Sequence, residues 1–123
     1  MRDVVIHTPE EIERIRIAAQ ATATVREQLR TMIIPGMTTR NVDELAGRLI
    51  AETGGTSSFL GYHGFSGNIC ISLNDVVVHG SGSDRVVIKD TDILSIDLGV
   101  TINGATGDTA VTLAFRDDLS ADL

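Results

Sequence analysis

Cysteine is almost missing from this chain: one copy, Cys70, in 123 residues. A single thiol cannot close an internal disulfide, so the fold must hold by packing, as expected in a reducing compartment. Set within Ile69-Cys70-Ile71-Ser72, the thiol reads as a packing group rather than a reactive one. Long apolar runs are missing too. No window approaches the roughly 18 to 20 consecutive apolar residues of a membrane span, and the opening MRDVVIHTPEE lacks the charged and apolar regions of a secretory signal. The expectation is a cytoplasmic protein with no membrane partner. Basic residues are in deficit, ten against seventeen acidic, for a net charge of -7. That balance disfavours nucleic acid and tolerates bound cations.

What is present is ordinary globular material, 42% hydrophobic and 22% charged. The length suits one compact domain with a real core and is too short for two, so 1–123 is read as a single domain.

Only two prolines occur, and both punctuate helices. Thr8-Pro9-Glu10-Glu11 is a helix start, with a threonine cap, proline in the first turn, and a glutamate placed to reach back to the cap. Ile12, Ile15 and Ala19, then Val25 and Leu29, recur at helical spacing down to Met32, where Ile33-Ile34-Pro35-Gly36 ends the run. TTRNVDELAGRLIAETGG repeats this grammar, with apolar residues at Val42, Leu45, Ala46, Leu49 and Ile50 and the pair Gly54-Gly55 at its end.

From residue 56 the chain turns to short β-branched runs: NICISL, DVVVH, RVVIK, DILSIDLGV and GDTAVTLAF. GYHGFSGN, rich in glycine and aromatics, reads as a shaped loop. Two helices followed by about five strands predict an α+β domain, the two N-terminal helices packed on a mainly antiparallel sheet. In the charged tail RDDLSADL, Leu119 is read as the start of a further helix.

SIDLGVTINGATGDTA places one aspartate in each half of a hairpin, Asp97 and Asp108. A four-residue bend over Thr101 to Gly104 sets the two directly opposite, whereas a two-residue bend at Asn103-Gly104 sets them one diagonal apart. Both loops are even, so in either register the carboxylates share a face. Two ionised carboxylates about 5 to 8 Å apart repel unless a cation sits between them or one is protonated. An arbitrary pair of strand aspartates is more often a turn cap and a solvated side chain. Here the flanks favour a site: Leu94, Ile96 and Leu98 share one face, and the small, polar Ser95, Asp97 and Gly99 share the other. His79, closing VVVH, is placed to enter a cleft mouth, although a lone histidine is more often merely satisfied in place. His63 in GYHGF has the same ordinary alternative, and His7 is assigned a structural role.

Taken together, TPEEIERIRIAAQ, IIPGMTTRNVDELA, LGYHGFSGNICISLNDVVVHG and KDTDILSIDLGVTINGATGDTA resemble the type I methionine aminopeptidases, in the family's order over nearly the whole chain. The resemblance implies half of a pita-bread fold. It also implies a dinuclear metallohydrolase that removes the initiator methionine from new polypeptides, using two divalent ions (Co, Mn, Fe or Zn). It assigns metal ligation to Asp97 and Asp108, with Asp108 bridging. His79 becomes a catalytic imidazole that contacts substrate. Phe59, Tyr62, His63, Phe65 and Cys70 become pocket residues for the methionine side chain.

This chain departs from the family pattern at Phe59, where a smaller residue is usual, and at Ser81-Gly82, where Ile-Pro is usual. Those changes are expected to narrow the pocket or loosen the cleft rim. The family's remaining ligands, one histidine and two glutamates, come from a C-terminal half not found before Leu123. Weak or no activity is therefore expected of the 123 residues alone. Its partners are expected to be a nascent polypeptide N-terminus, with either the missing half or a second copy completing the fold. A non-catalytic peptide-binding module is a further alternative, disfavoured because a pure binder needs no paired carboxylates. Creatinase or prolidase relatives are a milder one, against which GYHGF and the short N-terminus favour the aminopeptidase.

Overall fold

The structure is a computed structural model and describes residues 7–116. Leu119 and the helix expected there lie outside the described residues.

Helix α1 (Pro9–Met32) begins where the sequence predicts. The Glu11 N–H donates to the Thr8 hydroxyl at 3.1 Å, and the Thr8 N–H donates back to the Glu11 carboxylate at 3.1 Å. Such reciprocal caps satisfy two amides that the helix cannot, and losing one costs about 1 kcal/mol. His7 Nδ1 lies 3.4 Å from Glu11 Oε2, which places this imidazole at the helix start. Helix α2 (Thr39–Glu52) opens in the same way, through Thr38 and Asn41. After α2, Gly54 turns the chain at φ +85°, where a side chain would be strained.

The five strands are β1 (Thr56–Ser57), β2 (Cys70–Leu73), β3 (Val76–Val78), β4 (Ile93–Ile102) and β5 (Ala105–Ala114), and all pair antiparallel. The long β4 is central. β5 lies along one edge of it, and β1 and β2 share the other edge, with β3 outside β2. One expected strand is not in the sheet. Residues 85–89, RVVIK, bond instead to the connection between the helices: Gly36 N–H to Ile88 O, Ile88 N–H to Met37 O, and Thr39 N–H to Val86 O. A β-branched run needs hydrogen-bond partners but does not specify which, and here the helix connection supplies them.

Helix α1 also departs from its expected stripe. Ile12 and Ile15 are 56% and 40% exposed, Ala19 is exposed too, and the buried face is Ala18, Thr22, Val25 and Leu29. Gly107 on β5 decides this. A methyl group there would lie 2.6 Å from Thr22 Oγ1 and 2.7 Å from the Ala18 carbonyl oxygen, so helix and strand touch backbone to backbone. Small residues must face that contact, which rolls Ala18 and Thr22 inward and turns Ile12 and Ala19 away. Thr22 Oγ1 also donates toward the Gly107 carbonyl, at 3.2 Å.

The core forms between the helices and one sheet face, with Val25, Leu29, Val42, Leu49 and Ile50 against Ile71, Leu94, Ile96, Leu98 and Val100. Burying each such side chain contributes about 1.5–3 kcal/mol. The opposite face of β4 and β5 carries Ser95, Asp97, Gly99 and Thr101 beside Thr112, Ala110, Asp108 and Thr106. Among the described residues no helix is long and apolar enough to cross a membrane.

Candidate metal centre and adjoining pocket

Asn103 and Gly104 have φ +52° and +81°, the two positive angles of a type I′ hairpin turn. The bend is therefore two residues long, with Ile102 paired to Ala105. It selects the second of the two registers: Asp97 faces Ala110, Asp108 faces Gly99, and the aspartates lie one diagonal apart on the polar face. Both carboxylates are exposed, and both line one cavity of about 490 Å³ together with Phe59, Cys70, Leu98, Thr109 and Ala110.

The other predicted residues gather in a second cavity of about 500 Å³. Phe59, Tyr62, His63, Phe65, Cys70 and His79 line it, with Gly64, Ser66 and Gly80. Phe59 and Cys70 belong to both cavities, so an aromatic recess opens beside the carboxylate floor. His79 follows β3 directly and lines the recess, on the aromatic rather than the carboxylate side. Cys70 is half-buried, not fully packed as its apolar neighbours suggested. Burial and the charge of Asp97, its cross-strand partner, both push its thiol pKa up.

Local chemistry shapes the recess. Gly61, His63 and Gly64 all have positive φ, and the loop closes through Gly61 N–H to Phe65 O at 2.8 Å and Phe65 N–H to Tyr62 O at 2.9 Å. The Phe59 and Phe65 rings meet edge-on with centroids 6.2 Å apart, and Tyr62 meets His63 at 4.2 Å. A methyl on Gly67 would lie 2.3 Å from the Gly80 carbonyl oxygen, so the Phe65 and His79 loops cross at van der Waals contact. Gly82 has φ +82° with the Thr39 carbonyl against it, and Ser83 exchanges hydrogen bonds with the Thr39 hydroxyl. Gly82 and Ser83 are thus held against α2.

Sequence reasoning missed the residues that hold the recess from behind. Asp43, 2% exposed on α2, accepts from the Asn68 N–H at 2.8 Å, the Ile69 N–H at 3.2 Å and the Asn68 side-chain amide at 3.0 Å. Burial outweighs these donors and raises its carboxyl pKa. The Ser57 hydroxyl donates to Asn68 O at 2.6 Å and accepts from the N–H groups of Phe59 and Leu60. Ser57 was legible as a serine turn before Phe59. Asp43 was not, because an acidic residue in an amphipathic helix ordinarily faces water.

Asp97 and Asp108 supply hard oxygen donors on one face, the kind a divalent cation prefers. No group of three His, Cys, Asp or Glu side chains capable of holding a metal occurs among the described residues. The pair therefore fits as a partial ligand set, with the remaining positions left to water or further protein groups.

Comparison with known proteins is consistent with this geometry. The model of metallopeptidase family M24 matches residues 13–122. The chain is 43% identical over 109 residues to methionine aminopeptidase 1 of Bacillus subtilis, covering 89% of this chain and 44% of that one. It is 41% identical over 106 residues to the methionine aminopeptidase of Escherichia coli, covering 85% and 40%. The crystal structure of methionine aminopeptidase from Thermotoga maritima superposes with a TM-score of 0.84 at 34% identity, covering 98% of this chain and 49% of that one. The chain thus spans less than half the length of these relatives.

Proposed function

The chain belongs to metallopeptidase family M24, and on that premise we propose that it carries the N-terminal half of a methionine aminopeptidase, which removes methionine from the N-terminus of nascent polypeptides. The observation that carries the reading is the continuity of the aromatic recess with the carboxylate floor through Phe59 and Cys70. A side chain seated in the recess would bring its own peptide bond toward Asp97 and Asp108.

In this reading Asp97 and Asp108 are the residues that would hold divalent cations. When bound, such ions polarise the scissile carbonyl and acidify a water nucleophile. Phe59, Tyr62, Phe65 and Cys70 exclude water around an unbranched thioether, which suits soft aromatic contacts. His63 and His79 close the rim, and His79 holds or protonates the peptide nitrogen. Two carboxylates hold a transition metal weakly, since catalytic sites normally supply at least three protein ligands. The chain by itself is therefore nearly inactive.

The experiment is methionine release from a short Met-Ala peptide with Co²⁺ or Mn²⁺. It compares the chain alone with the chain plus a separately produced C-terminal half of a relative. Release only in the mixture is expected, and continued inactivity with both pieces folded counts against the reading. A second reading is a two-copy assembly, favoured by Val76 and Val77, 66% and 51% exposed on the sheet-edge strand β3. Light scattering that shows a monomer at every concentration removes it.

A further inference from the structure

Gly99 faces Asp108 across the hairpin, and two oxygens occupy the space where a side chain at 99 would stand. A methyl built there lies 2.0 Å from Ser58 Oγ and 2.6 Å from Asp108 Oδ1. Both atoms are thus near one point, less than about 5 Å from each other, within reach of a direct hydrogen bond after a small side-chain rotation or of one bridging water. The backbone brings the hydroxyl to this place. Thr56 and Ser57 pair with Thr101 and Val100, and the Ser58 N–H donates to the Gly99 carbonyl at 3.1 Å. Ser57 opposes core-facing Val100, so strand alternation sends the next side chain, Ser58, to the polar face that bears Asp108. Among the described residues the Ser58 hydroxyl makes no hydrogen bond of its own.

We propose that Ser58 is a positioning residue for the metal centre: after a small side-chain rotation its hydroxyl donates to Asp108 Oδ1 and leaves Oδ2 free to meet a cation. A carboxylate fixed by one hydrogen bond presents its other oxygen in a set direction, and an O–H to carboxylate bond is among the stronger kinds. Gly99 is the companion feature, because any larger residue there would fill the space the two oxygens share. The proposal rests on the reading of Asp108 as a metal ligand.

The test titrates the full chain with Mn²⁺ and counts free ion by electron paramagnetic resonance, comparing the unaltered chain with Ser58→Ala, Ser58→Thr and Asp108→Asn. Expected are Mn²⁺ binding that Asp108→Asn weakens by about tenfold or more, affinity about tenfold weaker in Ser58→Ala, recovery in Ser58→Thr, and unchanged metal-free melting temperatures. If Asp108→Asn weakens binding while Ser58→Ala binds as tightly as the unaltered chain, the role of Ser58 is overturned and the metal reading stands. If the unaltered chain binds no Mn²⁺ the proposal for Ser58 falls, and if Asp108→Asn binds Mn²⁺ as tightly as the unaltered chain the metal reading of Asp108 falls with it. Equal weakening in Ser58→Ala and Ser58→Thr also overturns the proposal, since the hydroxyl would not be the cause.

Discussion

Cys70 stands directly opposite Asp97 across the β2–β4 ladder, and burial together with that carboxylate raises the pKa of its thiol. The thiolate is the nucleophile toward alkylating agents, so a raised pKa keeps the group protonated and slow. Iodoacetamide at pH 8 is therefore expected to modify Cys70 more slowly than a free cysteine, and Asp97→Asn to speed the reaction. Mass spectrometry of timed samples reads both rates. An unchanged rate in Asp97→Asn would place the carboxylate's charge out of reach of the sulfur.

Asp97 and Asp108 line one cavity from neighbouring strands. Replacing either with asparagine removes one of two negative charges while keeping the side chain's shape. Affinity for Mn²⁺ should fall by about tenfold or more in each variant, since site charge sets the affinity of oxygen-ligand sites. Calorimetry checks this, and a variant that keeps full affinity excludes its residue from the site.

Gly107 lets α1 touch β5. Gly107→Ala would push a methyl against the Ala18 carbonyl and the Thr22 hydroxyl, and the helix backbone cannot yield without disturbing the core. A loss of about 1–3 kcal/mol is expected in urea unfolding. A neutral result would show that α1 can move away from the strand at little cost.

Asp43 anchors Asn68 and Ile69 behind the recess. Asp43→Asn would turn one acceptor into a donor facing the Asn68 amide, at a cost of about 1–3 kcal/mol at neutral pH. The pH dependence follows from the raised carboxyl pKa. The folded state binds this proton more tightly than the unfolded chain, so the contribution is complete below the unfolded value near 3.9. It is lost as pH rises through the higher folded value. The deficit of Asp43→Asn should therefore widen on acidification from pH 7 to 4. Parallel stability curves for the two proteins would contradict the assignment.

Much of this was legible because it depends on near neighbours in the chain. The Thr8 capping box, the threonine start of the second helix, the stop after Met32 and the shared face of Asp97 and Asp108 follow from local spacing, and each appears where local spacing puts it. RVVIK misled because β-propensity reports a wish for extended pairing, and the partner turned out to be the helix connection. Ile12 and Ile15 misled because periodicity locates an apolar stripe without saying which part of it meets the sheet. Asp43 and Ser58 stayed hidden because their roles are set by Asn68, Gly99 and Asp108, far away in sequence.

By itself the sequence determined the two helices, the long hairpin, the family and the two carboxylates on one face, since caps, turns and strand parity act over a few residues. Only the tertiary structure decided the two-residue turn, and with it the diagonal placement of those carboxylates. It also decided the junction of floor and recess at Phe59 and Cys70, and the arrival of Ser58 above Gly99. Those contacts join segments that meet only when the sheet closes, and no local rule sets the distance between them.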